Sequence, residues 1–305
     1  MSVLVTGCNG FLGRLLVYFY KQEMGQCCYG LGRSSPENAP ISLLDKYSQD
    51  NLPSPNISKL IAELKPSLLI HAAGRSSVPL SVKNPFEDYQ SGPPVVMQLL
   101  DSIRLHSPCT KFIFLSSAAV YGDPIVVPTG EDCPPKPISP YGYNKLQSEL
   151  IVAEYASLYG VRAASVRIFS AYGPGLRKQF FWDFCNKALS GSKRIELYGS
   201  GNETRDYIYG MDICRAIYCI ERVASLTGEQ INICSGESVS ISMLSRRLAS
   251  ALNVEVDISF SGSGLQGSPS FWQGQNTLLR SMDFVPSIGL DEGIVRYAQW
   301  YLANS

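Results

Sequence analysis

The sequence predicts an α/β fold, a doubly wound parallel sheet with a smaller, irregular C-terminal lobe, and three observations predict it. Short apolar runs alternate with segments of helical apolar spacing from residue 2 to residue 169. The first run breaks at once into glycines, Thr6-Gly7-Cys8-Asn9-Gly10-Phe11-Leu12-Gly13, ahead of the first helix. The alternation weakens after Ser170, where Gly173-Pro174-Gly175 interrupts it and turn-rich segments follow at Gly199-Ser200-Gly201 and from Ser261 to Gly267.

Each element follows from local chemistry. Ser2 to Thr6 is a short apolar strand, and Phe11 to Met24 carries apolar positions at helical spacing. Gln26 to Leu31 is a second strand, followed by a Pro/Ser-rich stretch from Ser34 to Ser58. Ile57 to Leu64 is a short amphipathic helix stopped by Lys65-Pro66, and Leu68 to Ala72 is a third strand. Pro94 to His106 is a helix, its proline seated in a first turn where amide donors are idle anyway. Lys111 to Leu115 is a buried strand. Tyr141 to Tyr159 is a long helix closed by Gly160, and Arg162 to Phe169 is another strand. Asp212 to Val223 as a helix and Gln230 to Cys234 as a strand return to the first lobe. These spans divide the chain into residues 1–169 plus about 207–234, and residues 170–206 plus 235–305.

Composition excludes several functions. Hydrophobic residues are 45% and charged residues 17% of the 305, ordinary for a chain with a sizeable core. Lys+Arg and Asp+Glu number 26 each, so no net field favours nucleic acid or an anionic membrane. No apolar run reaches the roughly 20 residues that a bilayer span needs. Nine cysteines without CxxC spacing, and two histidines (His71 and His106) far from any cysteine pair, argue against a metal site. Cys27 and Cys28 point to opposite faces of their strand and do not bridge. All nine thiols are expected to be reduced, and no charged-then-apolar leader precedes Ser2. The chain is therefore expected to be soluble and cytoplasmic.

The glycine turn points to a dinucleotide. Gly7 lets the chain turn sharply, Gly10 lets backbone approach a pyrophosphate, and Gly13 lets helix pack on strand. The amides at Phe11, Leu12 and Gly13 then face the diphosphate with the positive end of the helix dipole. GxxGxxG spacing resembles the short-chain dehydrogenase/reductase superfamily, which implies a Rossmann-type sheet. The second strand ends Leu31-Gly32-Arg33-Ser34. NAD-selective relatives carry an acid here for the ribose diol. Gly32 followed by Arg33 instead offers a guanidinium to a 2′-phosphate, which favours NADP over NAD. A solvated loop charge is the alternative for Arg33. The resemblance also implies that Asp50, with Asn51, accepts from the adenine amino group. A turn residue before Pro53 is the competing explanation. Ala72-Ala73-Gly74-Arg75 leaves room for a flat ring and ribose, and His71 is expected to be a satisfied buried histidine.

A catalytic set follows. Tyr141 and Lys145 lie four apart on one helix face, in Ser139-Pro-Tyr-Gly-Tyr-Asn-Lys145. With 17 tyrosines a lone YxxxK match is cheap, so its companions matter. It stands 24 residues after Ser117, where the superfamily puts it. An ammonium beside a phenol of pKa about 10 favours phenolate, so Tyr141 is expected to take a hydroxyl proton. Lys145 would also hold the nicotinamide ribose, and Ser117 would orient the reacting oxygen. Ser116 should point to the opposite face.

With these pieces the chain resembles the extended nucleotide-sugar epimerase/dehydratase family, over nearly its whole length. "RIFSAYGPG" (Arg167 to Gly175) and "GNETRDYIYGMD" (Gly201 to Asp212) resemble its substrate-lobe signatures. The resemblance implies that Arg205 binds a sugar nucleotide's diphosphate, with Arg177 and Lys178 as weaker candidates. A pair with Asp206 or Glu203 is the structural alternative for Arg205. Phe169 is implied in the cofactor pocket, and Ser76 and Ser170 in the substrate pocket. Dehydratases of the family put an acid and a base just after the catalytic Ser/Thr, where Ala118 and Ala119 supply neither. Epimerisation through a transient C4 ketone is thus expected. The alternatives are reduction of a 4-keto sugar by NADPH and, in another class, a non-catalytic NADP(H)-binding regulator. Gly92 stands where relatives carry an asparagine, and Ser170 where they carry another. Relatives often dimerise through the helices corresponding to Pro94–His106 and Tyr141–Tyr159, which implies a homodimer.

Overall fold

The computed structural model of the chain describes residues 1–262, 267 and 269–305. Residues 263–266 and 268, inside the expected turn-rich segment from Ser261 to Gly267, lie outside the described residues. The first part of the chain runs β1 (Ser2–Thr6), α1 (Phe11–Tyr18), β2 (Cys27–Gly32), β3 (Lys46–Gln49), α2 (Ile57–Leu64), β4 (Leu68–His71), α3 (Val78–Lys83), α4 (Pro85–Gln90), α5 (Pro93–His106), β5 (Lys111–Ser117), α6 (Pro140–Tyr159) and β6 (Ala163–Ile168). It continues through β7 (Ser170–Tyr172), α7 (Gln179–Ala188), β8 (Arg194–Leu197), β9 (Thr204–Arg205), β10 (Tyr207–Tyr209), α8 (Gly210–Val223), β11 (Thr227–Ile233), β12 (Val239–Ser240), α9 (Ile241–Ala251), β13 (Asp257–Phe260), α10 (Thr277–Ser281) and α11 (Leu290–Asn304).

Seven strands form one sheet in the order β11-β6-β5-β4-β1-β2-β3. Every pairing in it is parallel, and β1 is flanked by β2 and β4. The order reverses beside β1, so the loops leaving β1 and β4 diverge and open a crevice at the carboxyl ends of the strands. Alternation along β1 builds both faces. Val3 and Val5 join Leu16, Ile70, Val166 and Ile217 under α1 and α8. Leu4 joins Leu69, Val96, Leu99, Phe112 and Ala163 under α2, α5 and α6. A separate buried cluster, with Phe181, Phe184, Leu244, Leu248, Ile294 and Tyr297, gathers α7, α9 and α11.

Some local expectations are corrected. Phe11 to Met24 is α-helical only to Tyr18, and Phe19–Glu23 winds as a π-turn. The wider turn seats consecutive buried rings, Phe19 and Tyr20, edge-on to each other at 5.4 Å. The Pro/Ser-rich stretch contains β3, a polar strand at the sheet edge whose side chains Lys46 to Gln49 carry no apolar alternation. The short helices α3 and α4, each opened by a proline in its first turn, escaped the periodicity because six residues span fewer than two turns. Among the described residues, no helix is long and apolar enough to cross a membrane, and no group of His, Cys, Asp or Glu is arranged to hold a metal ion. All nine cysteines are free.

Candidate active site

The glycine turn closes on the neighbouring strand. Gly7 has φ +68°, and a Cβ there would lie 2.6 Å from Ala73 Cα. Its carbonyl accepts from Gly10 N at 2.9 Å, and a Cβ on Gly13 would stand only 2.1 Å from that oxygen. Gly10 caps α1 with no side chain, and the first turn holds no acid, so nothing of the chain's own side chains competes with an anion for the amides of Phe11, Leu12 and Gly13. Thr6 ties the two loops together: its hydroxyl meets His71 Nδ1 at 2.7 Å and accepts from Ala73 N at 3.3 Å. His71 is buried and neutral, its pKa pushed down to about 3 by burial and then by the Lys145 charge. It is the satisfied core histidine that was expected.

At the end of β2, Gly32 sits against two residues that sequence reasoning missed. A Cβ at Gly32 would lie 2.5 Å from Asn9 Oδ1 and 3.1 Å from the Tyr47 hydroxyl. Asn9 Nδ2 donates to the Tyr47 hydroxyl at 3.3 Å, and that hydroxyl donates to the carbonyls of Gly32 and Ser34. Asn9 lies inside the glycine motif, a signal that was available. Tyr47 lies in β3 and carried none. Arg33 is exposed, its carbonyl bonded to Gln49 Nε2 at 3.4 Å. The Asp50 carboxylate is taken up by its own loop, from the Ser54 hydroxyl, Asn51 N at 2.8 Å and Asn56 Nδ2 at 3.2 Å. Those bonds, the Ser54 one first, hold its pKa below the usual carboxylate range. This geometry matches the turn explanation.

Ser117, Tyr141 and Lys145 meet at the carboxyl end of β5. The N-terminus of α6 is fixed by Ser139, whose hydroxyl accepts from Gly142 N at 3.2 Å, and by the Ser81 hydroxyl, which accepts from Tyr141 N at 3.1 Å. Gly142 lets α6 lie against the chain after β5, since a Cβ there would stand 2.6 Å from Ala119 O. Lys145 Nζ donates to Leu115 O at 2.7 Å and lies 4.7 Å above the Phe114 ring and 5.7 Å from the Tyr141 ring centre. Burial pushes the Tyr141 phenol up to about 12, against a hydrogen bond with Ser117 that lowers it, and with Asp88 adding to the rise. Burial brings Lys145 down to about 8, while Asp88 and Glu149 pull it back up. Ser117 Oγ also accepts from Ala119 N at 3.2 Å. Ser116 points away, as expected, into a buried group in which its hydroxyl donates to Glu149 at 2.6 Å and Arg167 Nη2 meets the same carboxylate at 2.8 Å. Ala73, Gly74 and Arg75, in the loop after β4, line one small cavity with Tyr141 and Lys145. Arg75 itself turns to Glu87 in an ion pair.

The candidates from the later chain divide. Lys178 reaches across to the Ser76 hydroxyl, which joins two expected substrate residues. Phe169 is buried between Tyr121 and Trp272, and Ser170 N donates to Asp206 O at 2.9 Å. Arg205 Nη1 donates to Thr204 O at 2.7 Å and its guanidinium lies 5.7 Å from the Trp272 ring centre. Asp206 is engaged by Ser235 and by the amides of Gly236 and Gly274, and Glu203 by the amides of Ser200 and Gly201. Arg177 lies apart from Lys178 and Ser76 in its contacts. Its guanidinium sits over the adjacent rings of Trp182 and Trp300, at 5.4 and 5.5 Å from their centres, and donates to Asn304 O at 3.3 Å.

Comparison with known proteins adds to this geometry. The sequence model of the NAD dependent epimerase/dehydratase family matches residues 3–234. The chain is 28% identical to a UDP-glucose 4-epimerase of Mycolicibacterium smegmatis, over 100% of both chains. It shares 25% identity and a TM-score of 0.89 with the structure of MoeE5 in complex with UDP-glucose and NAD, covering 99% of each chain. It shares its fold with the UDP-glucose 4-epimerase of Thermus thermophilus in complex with NAD, at a TM-score of 0.91 and 24% identity over 100% of both chains.

Proposed function

The chain belongs to the NAD dependent epimerase/dehydratase family, and on that premise we propose that it is an enzyme that inverts C4 of a nucleotide-diphosphate hexose. The observation that carries this is the meeting of one alcohol, one phenol and one ammonium, Ser117, Tyr141 and Lys145, with the last two lining a cavity together with Ala73, the residue against which Gly7 packs. The turn fits a dinucleotide: Gly7 and Gly13 stand where any Cβ would strike backbone, and the α1 amides face outward uncapped by side chains. Gly7, Gly10 and the α1 amides would hold its pyrophosphate, and Lys145 its nicotinamide ribose. When bound, the nicotinamide accepts and returns a hydride at the sugar's C4.

The chain's own residues handle the proton. Tyr141 is an acid at neutral pH in the free protein, since its pKa is about 12. With Lys145 already in place, it would become a base only when further positive charge, such as that of an oxidised nicotinamide, is brought beside it. Tyr141 takes the proton from the 4-hydroxyl and returns it to the same oxygen. Ser117 donates to that oxygen and holds it toward the phenol. Ala118 and Ala119, both buried, offer neither acid nor base, which leaves elimination without machinery. Arg205 and Lys178 bind the diphosphate and Ser76 and Ser170 the sugar. A uridine nucleotide is the first choice of substrate, from the names of the relatives.

Finer assignments rest on single features. Gly32 and Arg33 favour NADP over NAD, and this same feature supports the second reading, reduction of a 4-keto sugar. Residues 1–169 with 207–234 would hold the dinucleotide, and the remainder the sugar nucleotide. The apolar side chains exposed on α5 and α6 support a homodimer. Nine free thiols suit a reducing cytoplasm.

The test is incubation of the purified protein with UDP-glucose or UDP-galactose and no added cofactor, the products being read by anion-exchange chromatography. Interconversion supports the epimerase. Stoichiometric loss of NADPH absorbance with a 4-keto sugar supports the reductase, and bound cofactor with neither activity supports the regulator. Tyr141→Phe is expected to lower turnover by 10²–10⁴-fold while bound cofactor, measured after denaturation, stays near the wild-type level. Unchanged turnover would remove Tyr141 as the base.

A further inference from the structure

We propose that Asp88 is the counter-charge that keeps Lys145 protonated, a positioning residue that acts on the Tyr141–Lys145 pair across a shared cavity. The role of Lys145 rests on the function proposed above. Asp88 lies on α4 and is 3% exposed. Its Oδ2 accepts from Asn144 Nδ2 at 2.7 Å, and its Oδ1 has no hydrogen-bond partner. The cavity is about 20 Å³, room for roughly one water, and Asp88, Gly92, Phe114, Tyr141, Asn144 and Lys145 are among its walls. A Cβ at Gly92 would meet Asp88 O at 3.5 Å and Asn144 Cβ at 3.6 Å, ordinary contacts, so the space is not forced by crowding.

The other charged and titratable groups near Lys145 are already accounted for. Glu149, one turn along α6, also favours the ammonium, but less than Asp88, since it is paired with Arg167 and bonded by Ser116. Arg75, in the loop after β4, pairs with Glu87. His71 on β4 is neutral. Tyr141 is protonated in the free protein. Asp88 remains. Among the described residues it has no cation within the 4.0 Å of an ion pair, as Lys145 has no anion. A buried carboxylate and a buried ammonium, each unpaired, that line one cavity in a medium of low dielectric stabilise each other's charge. Asn144 holds the carboxylate in place.

The measurement is the titration of Lys145 itself, in protein labelled with [13C]lysine and carrying the cofactor with which it purifies. Its Cε resonance is identified by its loss in Lys145→Met. Asp88→Asn preserves the shape of the pair with Asn144 and is expected to lower the Lys145 midpoint by about one pH unit, a tenfold loss of proton affinity. Asp88→Asn/Asn144→Asp returns a carboxylate to the other end of the same hydrogen bond and is expected to restore the midpoint, which a merely structural role would not do. An unchanged Lys145 midpoint in folded Asp88→Asn overturns the proposal. Should that variant not fold, Asp88→Ser is titrated in its place with the same expected fall, and an unchanged midpoint there would overturn it equally. The titration needs no substrate. A shifted midpoint together with full turnover in Tyr141→Phe would sink the proposed function and leave the charge coupling standing.

Discussion

Arg33 and Gly32 stand at the carboxyl end of β2, and the NADP preference proposed above rests on them. Gly32 puts no carboxylate beside the adenosine ribose, and the space a side chain would fill is held by Asn9 and Tyr47. Arg33 is exposed and forms no ion pair among the described residues. Arg33→Ala is expected to weaken NADP binding by about tenfold or more, the worth of a charge-assisted hydrogen bond, and to leave NAD binding within about twofold. Isothermal titration with both cofactors measures it, and equal losses for the two would refute a 2′-phosphate contact. At this scale sequence spacing reached what local periodicity can reach. Tyr141 and Lys145 share a helix face because they are four apart, and Ser117 follows a strand that was plain from its apolar run. Tyr47, Asp88 and Asn144 carried no local signal, and Asn9 only its place inside the glycine motif. Each gains its part from a partner far along the chain, as Asn144 does from Asp88 and Asn9 from Tyr47.

The β1–α1 junction is the element proposed to hold the cofactor, and its glycines are not equivalent. A methyl at Gly13 would stand 2.1 Å from Gly7 O and 2.8 Å from Cys8 Cα, both backbone. Neither atom can yield without moving α1 off β1. Gly13→Ala is therefore expected to cost about 2–3 kcal/mol of stability and to abolish co-purifying cofactor. Gly10 has φ −77°, and its added methyl would lie 3.3 Å from Gly7 O, a contact relieved by a small shift. Gly10→Ala should keep most of its stability. Urea denaturation with spectroscopy of the released nucleotide separates the two, and equal behaviour would contradict this packing. Elements that follow the hydrophobic period were readable from the sequence: Ile57–Leu64 matches α2 at both ends. β3 was not, because an edge strand of Lys, Tyr, Ser and Gln shows no apolar alternation and owes its pairing to β2.

For the whole molecule, the later chain was the least legible part. Its short strands, such as β9 and β12, pair across a distance of more than thirty residues, and helices from three places in the sequence share its core. The proposed homodimer is tested on α6, where Leu150 and Leu158 are 62% and 69% exposed, one face turned to solvent beside Met97 and Leu105 of α5. Leu150→Asp/Leu158→Asp is expected to convert a dimer to a monomer in sedimentation velocity, and a dimer that survives both charges uses another face. Resistance to acid is set elsewhere, at the seam between β1 and β4. His71 is 1% exposed, stacked 5.9 Å from Phe114 and bonded to Thr6, and its pKa falls from 6.5 to about 3 on folding. Below pH 6.5 the unfolded chain binds a proton that the folded chain refuses. Stability from this residue is therefore present above about pH 6.5 and is lost as the pH falls toward about 3, at up to about 1.4 kcal/mol per pH unit. His71→Asn replaces the imidazole with a group that does not titrate and gives up the ring packing. The variant should be less stable than the wild type at pH 7, and the gap should shrink steadily in urea titrations between pH 6 and pH 4. A gap that stays constant over that range would mean that His71 takes up its proton without opening the fold.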